Sequence, residues 1–256
     1  MTPRVPSIDP ARPGQPIRPF KAWHHMKKLL ADKEDTEQVF EIIQALNGES
    51  LRRDFKRFLA SPNGPQRLTE RASLPPLLDD HAPLLALPEG SVGRAYVDFM
   101  RREQLSAAGL VAESEKQRRN HPQFDDDLSW YGDRLRDTHD LNHVLTGYGR
   151  DALGEGALLA YTHAQNGGRG IWFIASMARR RIGRLAPPAA NIAKVFEEAR
   201  KNGRAARRIH EENVEELLAE PLAEARQRLN IPKPTAYKAA LAILADLYPD
   251  PQAVAA

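Results

Sequence analysis

At 256 residues and 28.7 kDa the chain is long enough for one sizeable core, and a composition 41% hydrophobic and 28% charged is that of a globular protein, not a disordered one. The net charge of +3 mixes 37 Lys and Arg with 34 Asp and Glu, which gives no reason to expect a nucleic-acid partner. The complete lack of cysteine excludes disulfides, thiolate catalysis and Cys-ligated metal, so any metal must be held by nitrogen and oxygen.

The first nineteen residues carry six prolines and predict a flexible, extended arm over 1–19, with neither the apolar stretch of a secretory signal nor the pattern of a transit peptide. A cytoplasmic, bacterial protein is expected. Residues 20–256 predict a single all-α domain, a helical bundle of at least seven helices. Apolar residues recur at helical spacing from Phe20 to Leu30 and again in "DTEQVFEIIQAL", which opens at Asp35 or Thr36 and closes at Asn47-Gly48. "ESLRRDFKRFLA" repeats the pattern, with Ser50 as cap and Leu51, Phe55, Phe58 and Leu59 on the buried face, until "SPNGP" stops it. The proline content of "LPPLLDDHAPLLALPEGSVG" predicts an irregular connector laid over the core.

Helical spacing resumes at Gly93, with Tyr96, Phe99 and Met100 on one face, and breaks near "RNHPQFDD". One helix is expected from Asp125–Asp127 to Gly147 or Gly149. Asp151 then caps a helix through Glu155, Leu158, Leu159 and Thr162, and further helices are expected over 171–181, 190–200, 214–229 and 235–247. The apolar runs "GIWFIASMA" and "AALAILA" are far shorter than the roughly 20 residues that span a bilayer. Neither strand alternation nor an internal repeat is present.

The chemistry concentrates in "HDLNHVLTGYGRDALGE", from His139 to Glu155. On a helix His143 lies roughly 40° round from His139 and Asp140 roughly 100°, so three ligand-type side chains share one face. Histidines four apart can bind one ion, as in the His-Glu-x-x-His zinc peptidases; the shorter stem of Asp140 suits direct ligation or orientation of an imidazole. The "TGYGRD" turn reverses the chain, so Glu155 can face back and complete the set. Ordinary packed helices also carry histidines four apart, so spacing alone leaves metal binding open. His163, two turns beyond Glu155, reads first as a core or surface histidine and only second as an outer partner of the site. His24, His25, His81, His121 and His210 read as surface residues. The run "ARRRIGR" serves a helix end or an anionic membrane surface, and "EEARKNGRAARR" reads first as a solvated face and second as an anion-binding one. No phosphate loop, serine elbow or dinucleotide fingerprint occurs.

The same segment resembles the signature of the ubiquinone (coenzyme Q) biosynthesis protein 4 family, His-Asp-x-x-His, eleven residues, Glu, and eleven residues separate His143 from Glu155. "DTEQVFEIIQAL", "LPEGSVGRAYVDFM" and "EENVEELLAEPLAEARQRLNI" resemble other family segments, so the likeness runs from about residue 20 to 232. It departs in the arm and in the tail after Ile231. The resemblance implies an all-helical fold and one divalent ion, zinc first, with iron, cobalt or manganese as alternatives, held by His139, Asp140, His143 and Glu155. It implies a carboxy-lyase activity, the oxidative decarboxylation of a prenylated hydroxybenzoate at carbon 1 with installation of a hydroxyl. The alternative is a non-catalytic, lipid-binding scaffold for the other ubiquinone biosynthesis proteins; a metal-dependent hydrolase would share the ligands. Implied partners are a prenylated aromatic lipid, the other pathway proteins, the inner membrane as a peripheral surface and a second copy in a homo-oligomer. The lipid tail is expected beside the metal, against Ile171, Trp172 and Phe173.

Overall fold

The computed structural model describes residues 5–32, 35–119 and 121–247, and the regular structure in them is helical. α1 (Pro19–Ala31) and α2 (Thr36–Asn47) pair with each other, burying Ala22 and Met26 against Ile42 and Ala45. α3 (Ser50–Leu59) buries Phe55 and Phe58 as its periodicity demands, although Ser50 lies inside the helix and Glu49 precedes it. α4 (Gly64–Glu70) follows.

The proline-rich connector is regular after all. It forms two short helices, α5 (Pro75–Asp79) and α6 (His81–Ala86). Their prolines fall in first turns, where a missing N–H breaks no intrahelical bond. α7 (Val92–Glu103) is capped by Ser91 Oγ, which accepts from the Arg94 N–H. Gln104, at φ +56°, ends α7, and both Asp79 oxygens accept the first N–H groups of α8 (Ala107–Arg118) at 2.6 and 2.8 Å.

The single helix expected through the histidines is two, α9 (Asp127–Asp137) and α10 (His139–Thr146), meeting at Thr138 with ψ near 4°. The Thr138 hydroxyl donates to the Arg134 carbonyl at 2.9 Å, a local bond that bends helices. α11 (Ala152–Asn166), α12 (Arg169–Leu185) and α13 (Ile192–Ala205) pack together; a side chain at Gly203 would sit 2.2 Å from the Tyr161 carbonyl, so only glycine allows the α11–α13 approach. The stretch 214–229 also divides, into α14 (Val214–Ala219) and α15 (Leu222–Arg228), because Pro221 cannot continue a helix. α16 (Thr235–Leu247) matches its expected bounds.

The apolar side chains gather into two main cores. One joins α5, α6, α7, α14 and α15 with Leu141, Val144 and Leu145 of α10; the other joins α12, α13 and α16 with Leu153, Ala157 and Leu158 of α11. The turn from α10 to α11 therefore lies on the seam between them.

In its described part the arm is tied to the start of α9. The Ser7 N–H donates to Asp127 Oδ2 at 2.8 Å, Asp127 returns its own N–H to the Ser7 carbonyl, and the Arg12 guanidinium grips Asp126 at 2.6 Å. Residues 1–4 of the arm and 248–256 of the tail lie outside the described residues.

His210 departs from its expected surface place. It is 3% exposed, packed on Phe58 and Tyr131. Tyr131 donates to Asp54 at 2.8 Å, and the Arg134 guanidinium donates to the carbonyls of His210 and Glu212. Burial, reinforced by Arg208, Arg134 and Arg57, pushes the His210 imidazole well below its ordinary value. The unfolded chain then binds a proton that the folded chain refuses, so stability is full above about pH 6.5 and falls as pH drops below it. Urea titrations at pH 7 and 5.5 should show a loss approaching roughly 1.4 kcal/mol per pH unit from this group, and His210→Gln should remove that component; an unchanged acid slope in the variant would refute the assignment.

Candidate metal centre

The break at Thr138 places His139 and Asp140 in the first turn of α10, and a carboxylate there complements the helix dipole. His143 follows one turn later. Its Nδ1 lies 2.9 Å from the Tyr148 carbonyl, which only accepts, so Nδ1 carries the proton and Nε2 keeps its lone pair for a ligand. The ring is fixed from behind by Phe99 of α7, stacked at 5.5 Å and 20°.

The reversal after α10 is built from backbone contacts. Gly147, at φ +78°, returns its N–H to the His143 carbonyl at 2.8 Å, a left-handed position that suits glycine. Arg226 of α15 donates to the carbonyls of Val144 and Leu145 at 2.9 and 2.8 Å, satisfying the helix end. Asp151 caps α11 by accepting the N–H groups of Leu153 and Gly154, as its position in the sequence predicts. Its other oxygen accepts from the Tyr237 hydroxyl, which in turn accepts the Gly149 N–H. A side chain at Gly154 would meet the Gly149 carbonyl at 2.2 Å, so the start of α11 sits directly on the turn. Glu155, next along, is aimed at the histidines.

The four expected residues meet. His143 Nε2 stands 3.3 Å from His139 Nε2 and 3.4 Å from Glu155 Oε1, and His139 Nε2 is 3.7 Å from Glu155 Oε2. Ligand atoms of His139, Asp140 and His143 lie within 4.8 Å of one another. Two imidazole nitrogens sharing a tetrahedral ion at about 2.0–2.1 Å stand roughly 3.3 Å apart, so the spacing fits a divalent ion and the donor set, two imidazoles and two carboxylates, suits zinc or ferrous iron. Burial opposes the charge on Glu155, yet the imidazoles that face it, His143 first and then His139, outweigh burial and hold the carboxyl far below the usual range. Burial likewise opposes protonation of His139, and Glu155 overrides it, raising that imidazole.

A cavity of about 520 Å³ opens beside these groups. His139, Asp140, Glu155 and Arg150 form one polar part of its lining, Met26, Leu29 and Leu30 of α1 with Ile174, Met177 and Ile182 of α12 give it apolar wall, and Gln104, Glu113 and Arg181 line it as well. The expected wall of Ile171, Trp172 and Phe173 is on other faces of α12. Trp172 instead stacks on His163 at 5.0 Å with the Arg200 guanidinium over it at 4.6 Å, which also takes His163 away from the site. Sequence reasoning missed Phe99, Arg150 and Arg226; Phe99 was legible as buried, but nothing local tied it to His143.

A family model described as Coenzyme Q (ubiquinone) biosynthesis protein Coq4 matches residues 25–235. Among curated relatives, the ubiquinone biosynthesis protein COQ4 homolog, mitochondrial, of Rattus norvegicus is 28% identical over 179 residues, 68% of this chain and 62% of the relative. The Bos taurus homolog is 30% identical over 190 residues, 72% of this chain and 65% of the relative. The match thus spans less than two thirds of the length of either. A crystal structure from Nostoc punctiforme, described as a candidate ubiquinone biosynthesis protein, aligns with TM-score 0.64 at 20% identity over 84% of this chain and 99% of that chain, which shows a shared fold.

Elemental analysis of the purified protein is expected to give one equivalent of divalent metal. His139→Ala, whose side chain is 30% exposed, and His143→Ala should each lose it while circular dichroism stays helical. Full metal content in either variant would remove that residue from the ligand set.

Proposed function

The chain belongs to the Coenzyme Q (ubiquinone) biosynthesis protein Coq4 family, and from that premise we propose that it acts in ubiquinone biosynthesis as a metal-dependent oxidative decarboxylase of a prenylated hydroxybenzoate. The observation that carries this reading is that His139 and His143 meet the carboxylates of Asp140 and Glu155 beside a cavity walled largely by apolar side chains. A prenylated aromatic acid has the same division, a polar ring and a hydrocarbon tail.

A divalent ion held by His139, Asp140, His143 and Glu155 would supply a Lewis acid for a ring oxygen. The chain's own residues do the rest. The walls from α1 and α12 take the tail and exclude water, which strengthens every electrostatic contact at the ring. Arg150, whose Nε is 3.6 Å from Glu155 Oε1, brings a cation to this polar part of the lining, where a ring carboxylate can pair with it. The chemistry balances with dioxygen as oxidant and an external two-electron donor: the ring–carboxylate bond breaks to release carbon dioxide, one oxygen atom enters the ring as hydroxyl, and the other leaves as water.

The discriminating experiment incubates metal-loaded protein with the prenylated acid, dioxygen and a reductant, and complements a strain lacking the family with His143→Ala. Hydroxylated, decarboxylated product and failed complementation are expected. Absence of product with every metal tried, together with complementation by the metal-free variant, would leave the scaffold reading in its place.

No helix among the described residues is long and apolar enough to cross a membrane. We place peripheral contact with an anionic bilayer on α1, the helix whose inner face walls the cavity. Its outer side exposes Phe20 at 89% and Trp23 at 47%, next to Ile17 at 47% and the exposed Lys27 and Lys28. Aromatic and basic side chains on one exposed helical face suit the headgroup boundary. Flotation with phosphatidylcholine vesicles containing cardiolipin should recover the protein, and Phe20→Ser with Trp23→Ser should leave it in the soluble fraction at unchanged metal content. Equal flotation of the double variant would move the contact elsewhere.

A further inference from the structure

We propose that Tyr96 is a positioning residue of the metal centre, its buried hydroxyl being the hydrogen-bond donor that orients the Asp140 carboxylate when an ion is held. The inference rests on the reading that the four converging side chains take a metal, and adds a residue that none of the ligand spacing reveals.

Tyr96 is fully buried, and its hydroxyl oxygen has no hydrogen-bond partner. Leaving a buried hydroxyl unpaired costs about 1–3 kcal/mol, and a phenylalanine would fill the same volume without that cost. The hydroxyl thus calls for an acceptor that comes to it in some state of the protein. α7 packs on α10, and one turn after Tyr96 the same helix delivers Phe99 onto the His143 ring. Tyr96 and Phe99 thus present two consecutive turns of α7 to the helix that carries the histidines.

Burial above all raises the Tyr96 phenol, and the carboxylates near enough to add to the shift are Asp140, Asp79 and Asp137, in that order. Asp79 is committed to the first N–H groups of α8, and Asp137 is clamped by Arg136 at 2.7 Å. Asp140 is buried in the polar part of the cavity lining, with its ligand atoms among those of the histidines. A carboxylate that gives one oxygen to an ion is held in place by a hydrogen bond to the other, and losing such an outer partner weakens metal binding by roughly 10–100-fold. The tyrosine hydroxyl supplies that bond from a rigid helix at no further cost in ordering.

The test is a competition titration of wild type, Tyr96→Phe, Asp140→Asn and the double variant with a chromophoric chelator, using zinc and then cobalt. Tyr96→Phe should weaken zinc binding by roughly 10–100-fold, shift the cobalt absorption bands, and leave the melting temperature of the metal-free protein unchanged or higher. In the Asp140→Asn background the same change should have little further effect. Zinc affinity within twofold of wild type, or losses that simply add in the double variant, would overturn the role of Tyr96 while leaving the metal centre intact. Failure of the wild type to bind either ion would overturn the metal centre and this inference together.

Discussion

The hydrogen bond from His143 Nδ1 to the Tyr148 carbonyl, 2.9 Å long, ties the chemistry to the fold. One contact sets the tautomer of a buried imidazole and pins the chain as it turns from α10 to α11. Everything the site needs from α11 follows from that turn. Gly147 takes the left-handed conformation, Arg226 satisfies the carbonyls of Val144 and Leu145, and the Asp151 cap starts the next helix where Glu155 faces the histidines. One residue inserted between the Asp151 cap and Glu155, inside the first turn of α11, would rotate Glu155 by about 100° and carry it off the site.

The position of that turn on the seam of two hydrophobic cores explains how polar groups are kept together without being drowned. α10 anchors into one core through Leu141 and Leu145, and α11 into the other through Leu153 and Leu158. Each helix is held by its own apolar face, so the ligand faces meet without having to attract one another. Two imidazoles and two carboxylates gather beside the cavity, where Glu155 raises the His139 imidazole and the histidines hold Glu155 low. The cavity is lined both by polar groups of the seam and by apolar side chains of α1 and α12.

The charged groups away from the site serve the packing of elements. Asp79 caps α8 across 28 residues of sequence, Arg12 and Asp126 seat the arm, and Arg134 satisfies carbonyls beside the buried His210. Each joins segments that carry no local sign of one another.

The sequence by itself determined what depends on neighbours within a turn or two. Helical periodicity gave α2, α3, α7 and α16; the Asp151 cap and the shared face of His139, Asp140 and His143 are matters of spacing. Tertiary structure decided what depends on which surface a helix buries. The face of α12 turned to the cavity is Ile174, Met177 and Ile182, because the long helix is apolar over more than one side and only its neighbours select among them. The burial of His210, the seating of the arm and the approach of Phe99 and Tyr96 behind the ligands have the same origin. They are contacts between residues far apart in the chain, and periodicity, which reports only the neighbours of each residue, carries no record of them.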